Sequence, residues 1–256
     1  MNGRVTRYRA VLAYDGTDYF GFQRQAGDTP TIQGTVEAAL RQVTQQEVTV
    51  TGAGRTDTGV HATGQVIAFD VAWRHEASAL LRALNANLPE SIALQSLDEA
   101  AADFHPRFDA RSRAYTYTLY FAPVRQPLWM RCAWHIATDR PPALEAMQQA
   151  AAGLVGTHDF ATFGTPPQGD STIREVFRSE IVLEAQPEQG CYVVRYEIEA
   201  NAFLYRMVRR IVGGLARVGR GELTPEHFLT AFRAADGTWP NPSAPAHGLC
   251  LTRVTY

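Results

Sequence analysis

The chain contains no lysine: all 24 of its basic residues are arginine, set against 26 acidic residues for a net charge of −2. A near-neutral total excludes a protein that holds nucleic acid by bulk positive charge. Cysteine is scarce. Cys132, Cys191 and Cys250 are far apart and odd in number, and no second Cys or His stands at metal-ligand spacing. That excludes a disulfide framework and a zinc module, and predicts reduced thiols in a cytoplasmic protein without a metal. Long apolar runs are missing too: none approaches the roughly 18 residues that a membrane span needs. Residues Met1–Arg9 lack the apolar core of a signal peptide. What is present is ordinary for a globular chain, 256 residues with 45% hydrophobic and 20% charged. That length suits one large domain or two modest ones.

Genomic composition alone can explain arginine in place of lysine, but it does not explain where the arginines fall. Arg107 to Arg131 holds five arginines and one acid, Asp109; Arg206 to Arg220 holds five and no acid. On a helix, Arg206, Arg209, Arg210, Arg217 and Arg220 would share an arc of roughly 100°. Leu204, Met207, Val208, Ile211 and Leu215 would cover the opposite side. A solvated helix face normally mixes signs, so a one-signed face points to phosphate. Local basic patches on a neutral protein hold phosphate without general stickiness.

Ten residues, Gly52-Ala53-Gly54-Arg55-Thr56-Asp57-Thr58-Gly59-Val60-His61, concentrate an arginine, a carboxylate and an imidazole in one glycine-punctuated stretch. Val48–Val50 and the alternating Gln65–Val71 read as strands on either side, so this is a rigidly held loop and a candidate active site. Asp57 has two readings. Thr-Asp-Thr-Gly makes a good turn in which the aspartate bonds its own backbone; alternatively, Arg55 holds the carboxylate ionised and oriented for chemistry. A phosphate-cradling loop fits poorly, because no GK[ST] ending follows and the next element is a strand. His61 reads as a loop hydrogen-bonder more readily than as a base.

The order of elements suggests an α+β fold. Tyr8–Tyr14 alternates as a strand and breaks at Asp15-Gly16-Thr17-Asp18. Thr31–Thr44 reads as a helix with Ile32, Val36, Leu40 and Val43 on one face. A second helix spans about 76–88, and Ile92–Leu94 closes the set. This is β-α-β-β-α-β, the ferredoxin-like order. A second half repeats it with additions. Ala114–Phe121 is a strand with Tyr115, Tyr117, Leu119 and Phe121 on one face and Thr116, Thr118 and Tyr120 on the other. A helix starts after Pro141-Pro142 and ends near Gly153. Strands Ile173–Glu184 and Cys191–Ala200 flank a turn at Gln186–Gly190. Helices over about 203–218 and 225–235 and a strand over Leu249–Tyr256 complete it. The expectation is two ferredoxin-like domains, residues 1–105 and 106–256, with mainly antiparallel sheets flanked by helices. Tyr115, directly after Arg111-Ser112-Arg113, suits a base-stacking aromatic beside phosphate-holding arginines.

Gly54-Arg55-Thr56-Asp57-Thr58-Gly59-Val60-His61-Ala62 resembles the signature of the tRNA pseudouridine synthase A family. Further blocks resemble it in order: Tyr14-Asp15-Gly16-Thr17 through Gly21-Phe22-Gln23, Phe104-His105-Pro106-Arg107-Phe108 through Tyr117, Gly156-Thr157-His158-Asp159-Phe160, Phe203 through Gly213, and Gly248-Leu249. Phe22 stands where the family usually has tryptophan, a change that touches local packing or an RNA contact. The resemblance implies an isomerase that breaks the N1–C1′ bond of uridine, turns the base and rejoins it through C5, with no cofactor. It implies action at positions 38, 39 and/or 40 of the tRNA anticodon arm, by a homodimer. Asp57 matches the catalytic aspartate, as nucleophile or as base. Tyr115 matches the tyrosine that stacks on the flipped uracil, Arg55 and Arg209 the arginines beside the aspartate, and Leu249 a leucine of the uracil pocket. These come from both halves, so the site is expected in a cleft between them. Arg113, Arg206, Arg210 and Arg217 are the expected RNA-binding arginines. Extruding a base costs a few kcal/mol, least in a loop or at a stem end. A non-catalytic RNA-binding module would share the aromatic strands but leave the Arg55–Asp57 loop without a role. A pseudouridine synthase acting on another RNA is the second alternative.

Overall fold

The computed structural model describes residues 4–166, 169–185, 190–237 and 243–256. The chain divides into two units. The first comprises the residues up to Arg111 together with Leu251–Tyr256, and the second Ser112–Cys250. Both mix helices with mainly antiparallel strands, so the fold is α+β.

In the first unit, β1 (Val5–Tyr14), α1 (Ile32–Thr44), β2 (Thr51–Gly52), β3 (His61–Ala72), α2 (Ala77–Asn87) and β4 (Ile92–Glu99) follow in that order. β1 pairs antiparallel with β3 (Tyr8 opposite Phe69, Leu12 opposite Gln65) and with β4 on its other edge. β2 is a short antiparallel partner of β3, and the end of β10 (Leu249–Thr255) lies next to β3. α1 starts where capping chemistry places it: the Thr31 hydroxyl accepts the Gly34 N–H at 3.3 Å. Ile32, Val36 and Leu40 are buried at helical spacing, as the sequence predicts. The sequence misleads at Val48–Val50, which is not a strand. There the backbone is satisfied by side chains of α1 instead. The Val50 N–H donates to the Glu37 carboxylate at 3.0 Å, and the Gln33 amide donates to the Val50 carbonyl at 3.0 Å.

The second unit runs β5 (Ser112–Ala122), β6 (Trp134–Ala137), α3 (Leu144–Ala152), β7 (Gly156–Asp159), β8 (Ile173–Ala185), β9 (Tyr192–Ala200), α4 (Met207–Gly219) and α5 (Pro225–Ala234), then the start of β10. Its strand order is β5-β9-β8-β7, antiparallel, with β6 added parallel to β5. The tyrosine strand behaves as its period predicts on one side: Tyr117, Leu119 and Phe121 are buried. Tyr120, on the other face, is buried as well, because Trp129 and His135 cover its ring at 5.2 and 4.9 Å. Phe160, Phe163, Phe228 and Phe232 form an aromatic cluster that seats α5. The expected turn at Gln186–Gly190 falls largely outside the described residues.

α4 begins at Met207, four residues later than the apolar period suggests. Arg206 has φ 59°, in the left-handed region, and Tyr205 donates its N–H to the Thr165 carbonyl at 2.9 Å. Leu204 is buried but sits on non-helical chain, which is how it extends the periodicity falsely. No helix among the described residues is long and apolar enough to cross a membrane.

Candidate active site

The loop between β2 and β3 is held by hydrogen bonds at several of its backbone groups. The Ala53 N–H donates to the Val66 carbonyl at 2.8 Å, and the Gln65 amide donates to the Gly54 carbonyl at 2.8 Å. The Phe22 N–H reaches the Thr56 carbonyl at 3.1 Å, the Val60 N–H the Asp57 carbonyl at 3.1 Å and the Gly59 N–H the Tyr19 carbonyl at 3.3 Å. Two of these partners, Phe22 and Tyr19, come from the segment after β1. That segment also presses on the loop. A side chain at Gly16 would stand 2.0 Å from the Val60 carbonyl oxygen, so only glycine fits. Asp15 anchors the segment by accepting from the Thr17 N–H at 3.0 Å.

Within this frame Thr56 and Val60 are buried, Asp57 is half-buried, and Arg55 and Thr58 are exposed. Arg55 makes no hydrogen bond or ion pair among the described residues. Its guanidinium is offered outward instead of being spent on the neighbouring carboxylate. His61 Nδ1 accepts the Gly16 N–H at 3.1 Å and lies 3.2 Å from an Asp15 carboxylate oxygen. One nitrogen cannot accept from the first while donating to the second, so His61 ties two loop segments together in either tautomer. Phe22 is 2% exposed. Its ring fills the space where a side chain at Gly52 would be, 2.5 Å from that position, so its role is packing under the loop.

The second unit carries the other expected residues. Tyr115 is half-buried, and the ring of Phe203 meets it edge-on at 5.1 Å. Arg209 donates through Nε to the Ala244 carbonyl at 2.8 Å, and the Ala244 N–H returns a bond to the Arg209 carbonyl at 3.0 Å. The Tyr117 hydroxyl donates to the Pro245 carbonyl at 2.8 Å. The segment that leads to the buried Leu249 is therefore fastened to both α4 and β5. Burial pushes the Tyr117 phenol well above its ordinary range, against a smaller opposing pull from the Arg209 charge, so Tyr117 stays a neutral donor. Phe203, Ala244 and Pro245 were not legible as functional neighbours, although Phe203 and Gly248 stand in the resembling blocks.

The arginine run is less uniform than its sequence. Arg206 precedes α4 and lies over the exposed Tyr205 ring at 5.0 Å. Arg210 is half-buried. Arg217 and Arg220 both reach Glu222, at 3.5 and 3.0 Å. Arg113 donates to the Asn201 carbonyl at 3.1 Å.

A carboxylate on a pinned loop, with aromatic and arginine side chains elsewhere in the chain, is the equipment of an enzyme that acts on RNA. The comparisons agree. A family model described as tRNA pseudouridine synthase matches residues 10–109 and 150–256. A protein named tRNA pseudouridine synthase A from Neisseria gonorrhoeae (strain ATCC 700825 / FA 1090) is 42% identical over 253 residues, covering 98% of this chain and 92% of that one. Proteins of the same name from Chloroflexus aurantiacus (strain ATCC 29366 / DSM 635 / J-10-fl) and Moorella thermoacetica (strain ATCC 39073 / JCM 9320) are 42% and 41% identical. They cover 96% and 97% of this chain, and 87% and 98% of their own length is covered. The chain belongs to the tRNA pseudouridine synthase A family and is an isomerase that modifies tRNA.

Proposed function

We propose that this enzyme converts uridine to pseudouridine at positions 38, 39 and/or 40 of the tRNA anticodon arm, in the cytoplasm and as a homodimer, with Asp57 as the working carboxylate. The observation that carries the reading is the setting of Asp57. It is a half-buried carboxylate on a loop whose backbone is bonded on both sides. Pre-ordering of that kind is what a group acting at one ribose carbon requires. The reaction is an internal exchange. The N1–C1′ bond breaks, the uracil turns, a C5–C1′ bond forms, the C5 proton leaves and N1 gains a proton. Asp57 serves either as nucleophile or as acceptor of a sugar proton. Tyr115 stacks on the uracil, Leu249 lines its pocket, and Arg55 and Arg209 steady the reacting nucleotide. Arg113, Arg206, Arg210 and Arg217 hold phosphates. Two ferredoxin-like halves supply these groups; the β4-β1-β3 order with β2 beside β3 supports that pattern for the first.

Asp57→Asn keeps the shape and removes the charge. Turnover should be lost while tRNA binding is retained, read by mass-spectrometric mapping of pseudouridine in anticodon arms and by filter binding. Normal turnover in that variant would remove Asp57 from the chemistry.

A further inference from the structure

We propose that Thr56 and Tyr14 are positioning residues that aim Asp57, an inference that rests on Asp57 being the working carboxylate. Thr56 is the buried polar residue of the loop, between the exposed Arg55 and the half-buried Asp57. Its hydroxyl shares a buried 2.8 Å hydrogen bond with the Tyr14 hydroxyl at the end of β1. Its carbonyl accepts the Phe22 N–H at 3.1 Å. Side chain and backbone of one residue are thus tied to two points of the same neighbouring segment, which fixes how the chain is rotated where Asp57 leaves it.

Burial alone does not call for a hydroxyl here. Valine has the same shape and would enter the interior without the desolvation cost of an O–H group. A hydrogen bond differs from an apolar contact in being directional, so it sets an angle that packing leaves loose. The pair is formed between β1 and the loop, 42 residues apart in sequence. Its geometry is therefore a property of the folded unit and not of the turn itself.

Thr56→Val and Tyr14→Phe each remove the same bond from opposite sides, so one variant serves if the other fails to fold. A displacement of the carboxylate by about 1 Å costs about 100-fold in rate. Each variant should lower kcat by about 10- to 100-fold, leaving KM and tRNA binding unchanged. This is read by tritium release from an unmodified tRNA transcript carrying C5-tritiated uridine. The double variant should be no slower than the slower single one, because one shared interaction is removed. Thr56→Ser, which keeps the hydroxyl, should restore turnover. Wild-type kcat in both single variants, with Asp57→Asn inactive, would overturn the proposal alone. Equal losses of binding and turnover together with a lowered melting temperature would also overturn it, by making the pair merely structural. An active Asp57→Asn variant would instead overturn the reading beneath it.

Discussion

The aspartate loop and helix α4 both look like concentrations of charge in the sequence, yet the fold treats them oppositely. In the loop the charged residues are few and the backbone is fixed: carbonyls of Gly54, Thr56 and Asp57 all have donors. On α4 the backbone is an ordinary helix and the apolar residues are buried, while the arginines are dispersed into separate tasks. Arg209 is bonded to Ala244, Arg217 and Arg220 share Glu222, and Arg206 precedes the helix over Tyr205. A run of like charge therefore overstates the cationic surface that it produces. A short turn motif understates the scaffolding that it needs.

If the loop is fixed by what lies beneath it, removing that support should cost more than any change on α4. Phe22→Ala empties a fully packed site against Gly52. Truncating a buried phenylalanine costs about 3–5 kcal/mol, to be measured by urea denaturation. The salt dependence of tRNA binding by the folded fraction should not change. A change there would return Phe22 to the RNA surface.

Gly16→Ala is the next step down. Its methyl would overlap the Val60 carbonyl, a backbone atom that cannot rotate away. Overpacking of this kind costs about 1–3 kcal/mol, and here the segment has to shift together with its bond to His61. Turnover should fall more than stability predicts, because Asp57 lies in the loop that moves. Equal falls in stability and turnover would show that the contact is packing without consequence for the site.

Much of this was legible and some was not, for definite reasons. Helix α1 was, since period, cap and first buried residue agree at Thr31 and Ile32. The placing of Asp57 on a loop ahead of a strand was, because local turn residues carry it. Strands β6 and β7 were not, being four residues each and too short to show a period. Val48–Val50 has strand composition, but its hydrogen bonds go to Gln33 and Glu37, and no composition records that. The Tyr14–Thr56 bond was hidden for the same reason: the partners meet only through the pairing of β1 with β3.

The smallest effect on the fold is expected at the arginines that remain outward. Arg206 is exposed and Arg210 half-buried, and neither has a carboxylate partner among the described residues. Changing both to glutamine should leave urea stability within about 0.5 kcal/mol of the parent. Each lost phosphate contact should reduce the slope of log binding constant against log salt by about one unit. Arg217→Gln is the internal control, because Glu222 already neutralises part of that charge. It should flatten the slope less than either of the others. If all three flatten it equally, the Glu222 pairing yields to tRNA and α4 presents a single cationic face after all; if none does, the phosphates are held elsewhere in the chain.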